Sequence, residues 1–199
     1  MAIPNFSKQL LSWAYGQFGE DLVMESLLGY IYGILYCKKY RQKYASSLRT
    51  CFPRIPITND KLLFHKISTL GMELIESHLL RNKTIQPVAG FPEVGSDIIE
   101  NVRYDSVNCQ VFINEKQYFS KVSSDVWNYE IGGYKVAKRW LEQRNGRGLS
   151  YDEQLFFMTM ISIIEKTIEL QKELDSLFPE IEKNLATLTT VNNQQLLNP

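Results

Sequence analysis

The chain has 199 residues, with 22 Lys and Arg against 22 Asp and Glu, and 44% of its residues are apolar and 12% aromatic. That length predicts one domain with at most an appendage, and the apolar share is enough for a full core, which excludes a disordered chain. The longest mostly apolar run, residues 155–164, falls well short of the roughly 20 residues that cross a bilayer, so a membrane span is excluded and no membrane partner is expected, and the zero net charge names no partner by itself.

Met1-Ala2-Ile3-Pro4-Asn5 carries neither a basic leader nor an apolar h-region, which predicts a cytoplasmic protein. From Ser7 to Phe18, and again from Glu20 to about Leu48, the apolar spacing is helical, with Gly19 as the break. Val23, Leu27, Ile31 and Ile34 make one stripe on the second helix. Its first turn carries Glu20, Asp21 and Glu25, and its far end Lys38, Lys39, Arg41 and Lys43, a polarity that suits the helix dipole. Phe52-Pro53-Arg54-Ile55-Pro56 stops it, because each proline pushes the residue before it out of the α region; Arg54 therefore sits on a short, stiff, extended connector. Asn59 or Asp60 caps a third helix reaching about Arg81, with Leu63, Ile67, Leu70, Leu74 and His78 inward.

Pro87, Gly90, Pro92 and Gly95 then mark a loop. After it, short runs rich in β-branched and aromatic residues predict strands at 98–104, 110–113, 118–122 and 126–131, with Asn114-Glu115-Lys116 as a hairpin connection and Gly132-Gly133 ending the sheet. A short helix follows from Tyr134 to about Arg144, and 145–148 is a turn. Ser150 with Glu153 forms a capping box for a long last helix, whose face is Phe157, Ile161, Ile164, Ile168, Leu174, Phe178 and Ile181, interrupted near Gln171. Together these elements predict an α+β fold, predominantly helical, with a small antiparallel sheet at about residues 98–131 and a long C-terminal helix. One domain covers residues 1–186: a helical part at 5–82, a loop at 84–96, the sheet at 98–131 and helices at 134–183. Residues 187–199 form a flexible polar tail.

Little in the chain carries catalytic chemistry. Cys37, Cys51 and Cys109 are odd in number and scattered, which argues for reduced thiols rather than a disulfide framework or a zinc site. His65 and His78 fall on opposite faces of one helix and cannot share a metal; His78 reads as a hydrogen-bonded core or capping histidine. There is no phosphate-binding G-x-x-x-x-G-K-[ST] loop and no G-x-S-x-G elbow, and the glycine pairs at 132–133 and 146–148 read as turns. Acid pairs such as Glu169 with Glu173 read as a solvated face.

The charge distribution says more than its sum. Residues 38–54 hold six bases (Lys38, Lys39, Arg41, Lys43, Arg49, Arg54) and no acid, and residues 135–147 hold five (Lys135, Lys138, Arg139, Arg144, Arg147) against Glu142. Residues 152–182 hold eight acids against Lys166 and Lys172. Tyr32, Tyr36, Tyr40 and Tyr44 recur every fourth residue into the first basic cluster. Aromatics interleaved with cations suit base stacking and phosphate contact, while on the residues alone the ridge better suits a packed core with its hydroxyls at the edge.

Several strings, taken in order, resemble the C-terminal specificity region of Type ISP restriction-modification enzymes. They are Tyr30-Ile31-Tyr32-Gly33-Ile34-Leu35, Tyr40-Arg41-Gln42-Lys43-Tyr44-Ala45, the Phe52 to Pro56 connector, Leu63-Phe64, Leu70-Gly71, His78-Leu79-Leu80, and Val126 through Val136 with Trp140-Leu141, Arg144, Gly146-Arg147 and Leu149-Ser150. The likeness runs from about Asn5 to Glu173. In that family one polypeptide joins a nuclease, a helicase-like ATPase, an N6-adenine methyltransferase and a target-recognition domain. The resemblance implies the last part alone: the sequence has no Asn/Asp-Pro-Pro-Tyr motif, no helicase phosphate loop and no E-x-K. It therefore implies a non-catalytic DNA target-recognition module that needs no cofactor, with duplex DNA and the methyltransferase domain of a parent enzyme as partners.

Under that reading Lys38, Lys39, Arg41, Lys43 and Arg54, with Lys135, Lys138, Arg139, Arg144 and Arg147, are the candidate phosphate contacts. Tyr134 and Trp127 are expected to pack at the sheet-to-helix junction. The competing reading is a structural interaction domain whose last helix and tyrosine ridge dock onto the methyltransferase or form a homodimer.

Overall fold

The computed structural model describes residues 6–19, 24–82 and 84–186. The chain divides into two compact units, one built from residues up to Ile75 with those from Gln171 onward, the other from residues 76–170. The expected start of the helical part at Asn5, the helix positions Glu20, Asp21 and Val23, and the expected tail at 187–199 lie outside the described residues.

In the first unit, α1 (Lys8–Phe18) begins where the Ser7 hydroxyl accepts the Leu10 amide at 3.2 Å, and it ends at Gly19 with φ +94°, a left-handed conformation that glycine adopts without strain. The single helix expected to reach Leu48 is instead three: α2 (Met24–Tyr36), α3 (Lys38–Lys43) and α4 (Ala45–Thr50). The first break has a cause that local periodicity does not carry. Cys37 is extended (ψ 120°), its thiol donates to the Asp175 carboxylate at 3.1 Å, and the same oxygen accepts the Lys39 amide at 3.0 Å. A carboxylate from residue 175 thus caps α3 in place of a local side chain. The Tyr36 carbonyl released at this break accepts Gln171 Nε2 at 3.3 Å, which explains the polar interruption of the last helix's apolar face.

α5 (Lys61–His78) starts as expected, with Asp60 Oδ1 accepting the Leu62 and Leu63 amides at 2.9 and 3.1 Å. It stops short of Arg81 because Leu80 turns left-handed (φ +58°) and the Arg81 amide closes on the Glu76 carbonyl at 2.8 Å, a Schellman ending with leucine where glycine is usual. Within the first unit α2 and α5 approach closely at Gly29, Gly33 and Gly71. Beside that contact Phe64 lies between the rings of Phe18 and Tyr30, at 4.0 and 4.8 Å.

The second unit holds an antiparallel sheet of β1 (Arg103–Asp105), β2 (Gln110–Phe112) and β3 (Tyr118–Phe119), in that order. Asn114 makes the predicted hairpin connection, its Oδ1 accepting the Lys116 and Gln117 amides at 3.0 and 2.8 Å. The strand expected at 126–131 is not one. Ser123 caps a single helical turn, α6 (Ser124–Trp127), and the chain then forms a separate hairpin of β4 (Glu130–Ile131) and β5 (Tyr134–Lys135). Gly132 and Gly133, at φ +60° and +83°, turn that hairpin rather than end a sheet. Residues 98–102 carry only an isolated bridge, Ile98 to Gly148.

Two helices complete the second unit. The short helix expected from Tyr134 begins two residues later as α7 (Val136–Glu142), and α8 (Tyr151–Lys183) is the long last helix. Its capping box forms as written: Ser150 Oγ accepts the Glu153 amide at 3.3 Å, and a Glu153 carboxylate oxygen accepts the Ser150 amide at 3.2 Å. Phe157, Ile161, Ile164 and Ile168 close the second unit's core with Ile99, Val111, Phe119, Trp127 and Leu141, while Leu174, Phe178 and Ile181 are buried in the first unit. The α+β class, the small antiparallel sheets and the long last helix are as the sequence predicts. Among the described residues no helix is long and apolar enough to cross a membrane.

Candidate nucleic-acid interface

The two basic segments fall in different units and have different fates. In the first unit, Lys38, Lys39, Arg41 and Lys43 ride on α3, Arg49 on α4 and Arg54 on the connector that follows. Only Lys43 is neutralised, by Glu182 at 2.5 Å, a contact that raises the pKa of the lysine. Among the described residues Lys38, Lys39, Arg41, Arg49 and Arg54 make no ion pair; all but the half-buried Lys38 are exposed, and Arg41 lies 6.0 Å from the Tyr36 ring. α3 points its free cations outward because its one inward residue, Tyr40, is buried beneath them.

The tyrosine ridge divides at the Cys37 break. Tyr32 and Tyr36 stack on each other at 4.8 Å on half-buried positions, while Tyr40 is 1% exposed and its hydroxyl donates to the Arg54 carbonyl at 3.0 Å. Burial raises the Tyr40 pKa and, more strongly, that of Tyr30, whose hydroxyl donates to the Pro56 carbonyl at 2.8 Å. Both of these phenols are therefore neutral donors that tie the connector to the core.

In the second unit the basic segment is largely engaged. Glu153 binds Arg147 twice, at 2.5 and 3.0 Å, and Arg144 at 3.2 Å; Arg144 also donates to the Trp140 carbonyl and lies 3.7 Å above the Trp140 ring. Arg147 above all, then the Ser150 amide, holds the Glu153 carboxyl at about 2 against an ordinary value of 4.5. Arg144 and Arg147 are thus the lining of a helix cap. Lys138 pairs with Glu142 at 3.5 Å, and Lys135 donates to Asn128 at 2.7 Å. Arg139 is the exposed exception, its guanidinium 4.4 Å above the Tyr134 ring.

Trp127 packs as expected, 6% exposed and stacked on Tyr104 at 5.3 Å. Tyr134 does not: it is 57% exposed, because it leaves the Gly132-Gly133 turn on a two-residue strand instead of entering the helix. Phe52 was not singled out for exposure by the sequence, yet it is 96% exposed. The two prolines around Arg54 were the available sign that this connector is extended rather than helical.

The acidic last helix also acts differently from its sequence pattern. Glu153, Glu173, Asp175 and Glu182 each turn back to a basic residue or a helix N-terminus, so part of the segregated charge cancels in space. His78 Nε2 lies 3.0 Å from Thr167 Oγ1, and burial lowers the pKa of the imidazole. Among the described residues no group of three or more His, Cys, Asp or Glu side chains could hold a metal ion.

Residues 2–173 match the family model of the Type ISP C-terminal specificity domain. The chain belongs to that family. Three solved structures share the fold of this Type ISP specificity domain. One is a nuclease-deletion mutant of the Type ISP restriction-modification enzyme LlaGI in complex with a DNA substrate mimic, 20% identical with TM-score 0.55, where 78% of this chain covers 16% of that one. Another is the ATP-dependent Type ISP restriction-modification enzyme LlaBIII bound to DNA, 18% identical with TM-score 0.62, where 89% of this chain covers 12% of that one. The third is a DrdV–DNA complex, 16% identical with TM-score 0.62, where 83% of this chain covers 19% of that one. The chain thus spans less than a fifth of each of these larger proteins. No curated protein sequence matches it.

Proposed function

We propose that this specificity domain is a DNA target-recognition module, holding duplex DNA by phosphate contacts from residues 38–54 within a larger restriction-modification enzyme. The observation that carries this reading is the set of five cations, Lys38, Lys39, Arg41, Arg49 and Arg54, left without an ion pair among the described residues on a stretch of seventeen residues that contains no acid. An excess of unpaired cations on one stretch costs self-repulsion that a polyanion relieves, and phosphate contact needs charge at the surface rather than a net charge on the chain. The DNA named with each of the three similar structures supports the same partner. Catalysis and the nucleotide-driven steps belong, in this reading, to the other parts of the parent enzyme, and the methyltransferase is the neighbour that uses the recognised site.

The interaction-domain reading needs a docking face on the last helix and the tyrosine ridge, of which Tyr40 is 1% exposed. Ile161 and Ile168 are likewise 1% and 6% exposed, spent in the second unit's own core. A titration of the chain with a mixed-sequence duplex over a series of salt concentrations tests the proposal. Engagement of three or more phosphates gives a log–log slope of about −3 or steeper, and a flat salt response contradicts it.

A further inference from the structure

The connector after α4 turns one aromatic ring fully into solvent and pins the backbone on either side of it. Phenylalanine is among the residues most often buried, yet Phe52 is 96% exposed. The Cys51 amide closes α4 on the Ser47 carbonyl at 2.8 Å, and Pro53 confines Phe52 to extended backbone. The Tyr40 hydroxyl holds the Arg54 carbonyl, and the Tyr30 hydroxyl holds the Pro56 carbonyl while accepting the Thr58 amide at 3.2 Å. Both tyrosines are themselves buried, at 1% and 0% exposure. The ring is thus displayed by a segment with little conformational freedom left to lose on binding.

The neighbours of the ring select its partner. Arg49 and Arg54 stand three residues before and two residues after it in the chain, both exposed, and residues 38–54 contain no acid. An exposed ring on a stretch of chain rich in unpaired cations does not resemble the core of a protein interface, which gathers apolar residues and is depleted of charge. It matches the arrangement in which an apolar side chain enters a duplex between base pairs while cations hold the phosphates beside it. We propose that Phe52 is a DNA wedge, inserted at a base step and seated by Arg49 and Arg54. The proposal rests on the DNA-binding reading above and adds the residue that reaches the bases.

The test uses the full chain and a mixed-sequence duplex. Phe52→Ala removes stacking without removing a phosphate contact, so affinity is expected to fall at least fivefold while the salt slope and the melting temperature stay those of the wild type. Phe52→Trp is expected to keep binding and to show quenched indole emission on adding duplex, beyond any change in the wild-type chain. Wild-type affinity in Phe52→Ala, or an unchanged emission of Phe52→Trp at saturating DNA, overturns the wedge while leaving DNA binding intact, and returns Phe52 to a protein partner. Failure of the wild-type chain itself to bind duplex overturns the DNA reading and the wedge with it.

Discussion

Replacing Gly71 by alanine places a methyl group inside the backbone of the neighbouring helix. The new Cβ overlaps the carbonyl of Gly29, 2.6 Å from its carbon and 2.9 Å from the Gly33 amide nitrogen, and neither atom belongs to a side chain that can rotate away. To restore ordinary contact α2 and α5 must part by about 1 Å, a gap that forfeits a quarter to a half of the dispersion energy across it. Four buried side chains flank the contact, Tyr30, Ile34, Phe64 and Ile67. At about 2 kcal/mol of burial each, a quarter lost from all four is about 2 kcal/mol, with backbone distortion adding to it. The intrinsic helix preference of alanine returns up to about 1 kcal/mol, so Gly71→Ala is expected to cost about 1–3 kcal/mol net. Gly16→Ala is the control: its Cβ meets nothing within 4 Å on an exposed face of α1, and the substitution is expected to be neutral or stabilising by up to about 1 kcal/mol. Urea denaturation of both variants measures the difference. A Gly71→Ala variant as stable as Gly16→Ala refutes the claim that α2 and α5 are packed backbone to backbone.

The remaining predictions concern the caps and the thiols. Glu153 has a carboxyl held at about 2 in the folded chain against 4.5 ordinarily, so its contribution to stability is complete above 4.5 and is lost as pH falls from there toward 2. The melting-temperature gap between the wild type and Glu153→Gln should therefore narrow over that acid range, and a gap independent of pH contradicts the Arg144–Glu153–Arg147 clamp. Burial, aided by Asp175, pushes the Cys37 thiol up to about 12, whereas Cys51 is exposed. A thiol reagent at mildly alkaline pH should label Cys51 rapidly in the folded chain and Cys37 only after unfolding; loss of the rapid phase in Cys37→Ser rather than Cys51→Ser contradicts this. Asp175→Ala removes the cap of α3 and is expected to cost about 1 kcal/mol by denaturant titration, while a neutral result places the helix break elsewhere. Tyr30→Phe deletes the hydroxyl that joins Pro56 and Thr58 and is expected to cost about 1–2 kcal/mol in the same assay, with an unchanged midpoint contradicting the anchoring role.

What was legible in the sequence was whatever depends on near neighbours. Ser7, Asp60 and the Ser150–Glu153 box announce their helices because an N-cap is read within three residues, and Asn114 announces its turn for the same reason. The α2–α3 break could not be read that way, since the carboxylate that caps α3 comes from residue 175. Residues 126–131 misled because Val126, Trp127, Tyr129 and Ile131 favour strands, yet Ser123 supplies a cap and the tertiary core takes Val126 and Trp127 from a helical turn. The charge is segregated along the chain and less so in space. Long acidic side chains on α8 reach back to Lys43 and Lys66 in the first unit and to Arg144 and Arg147 in the second, so sequence clusters overstate the free charge.

The central claim, that unpaired cations of residues 38–54 hold duplex DNA, is tested most directly by the salt slope of binding in single alanine variants. Lys39→Ala, Arg41→Ala and Arg54→Ala should each weaken binding to all duplex sequences alike and reduce the magnitude of the log–log slope by about 1. Arg147→Ala, whose guanidinium is committed to Glu153, should leave the slope unchanged. The opposite pattern, a reduced slope for Arg147→Ala and none for the three residues of the first unit, contradicts the account.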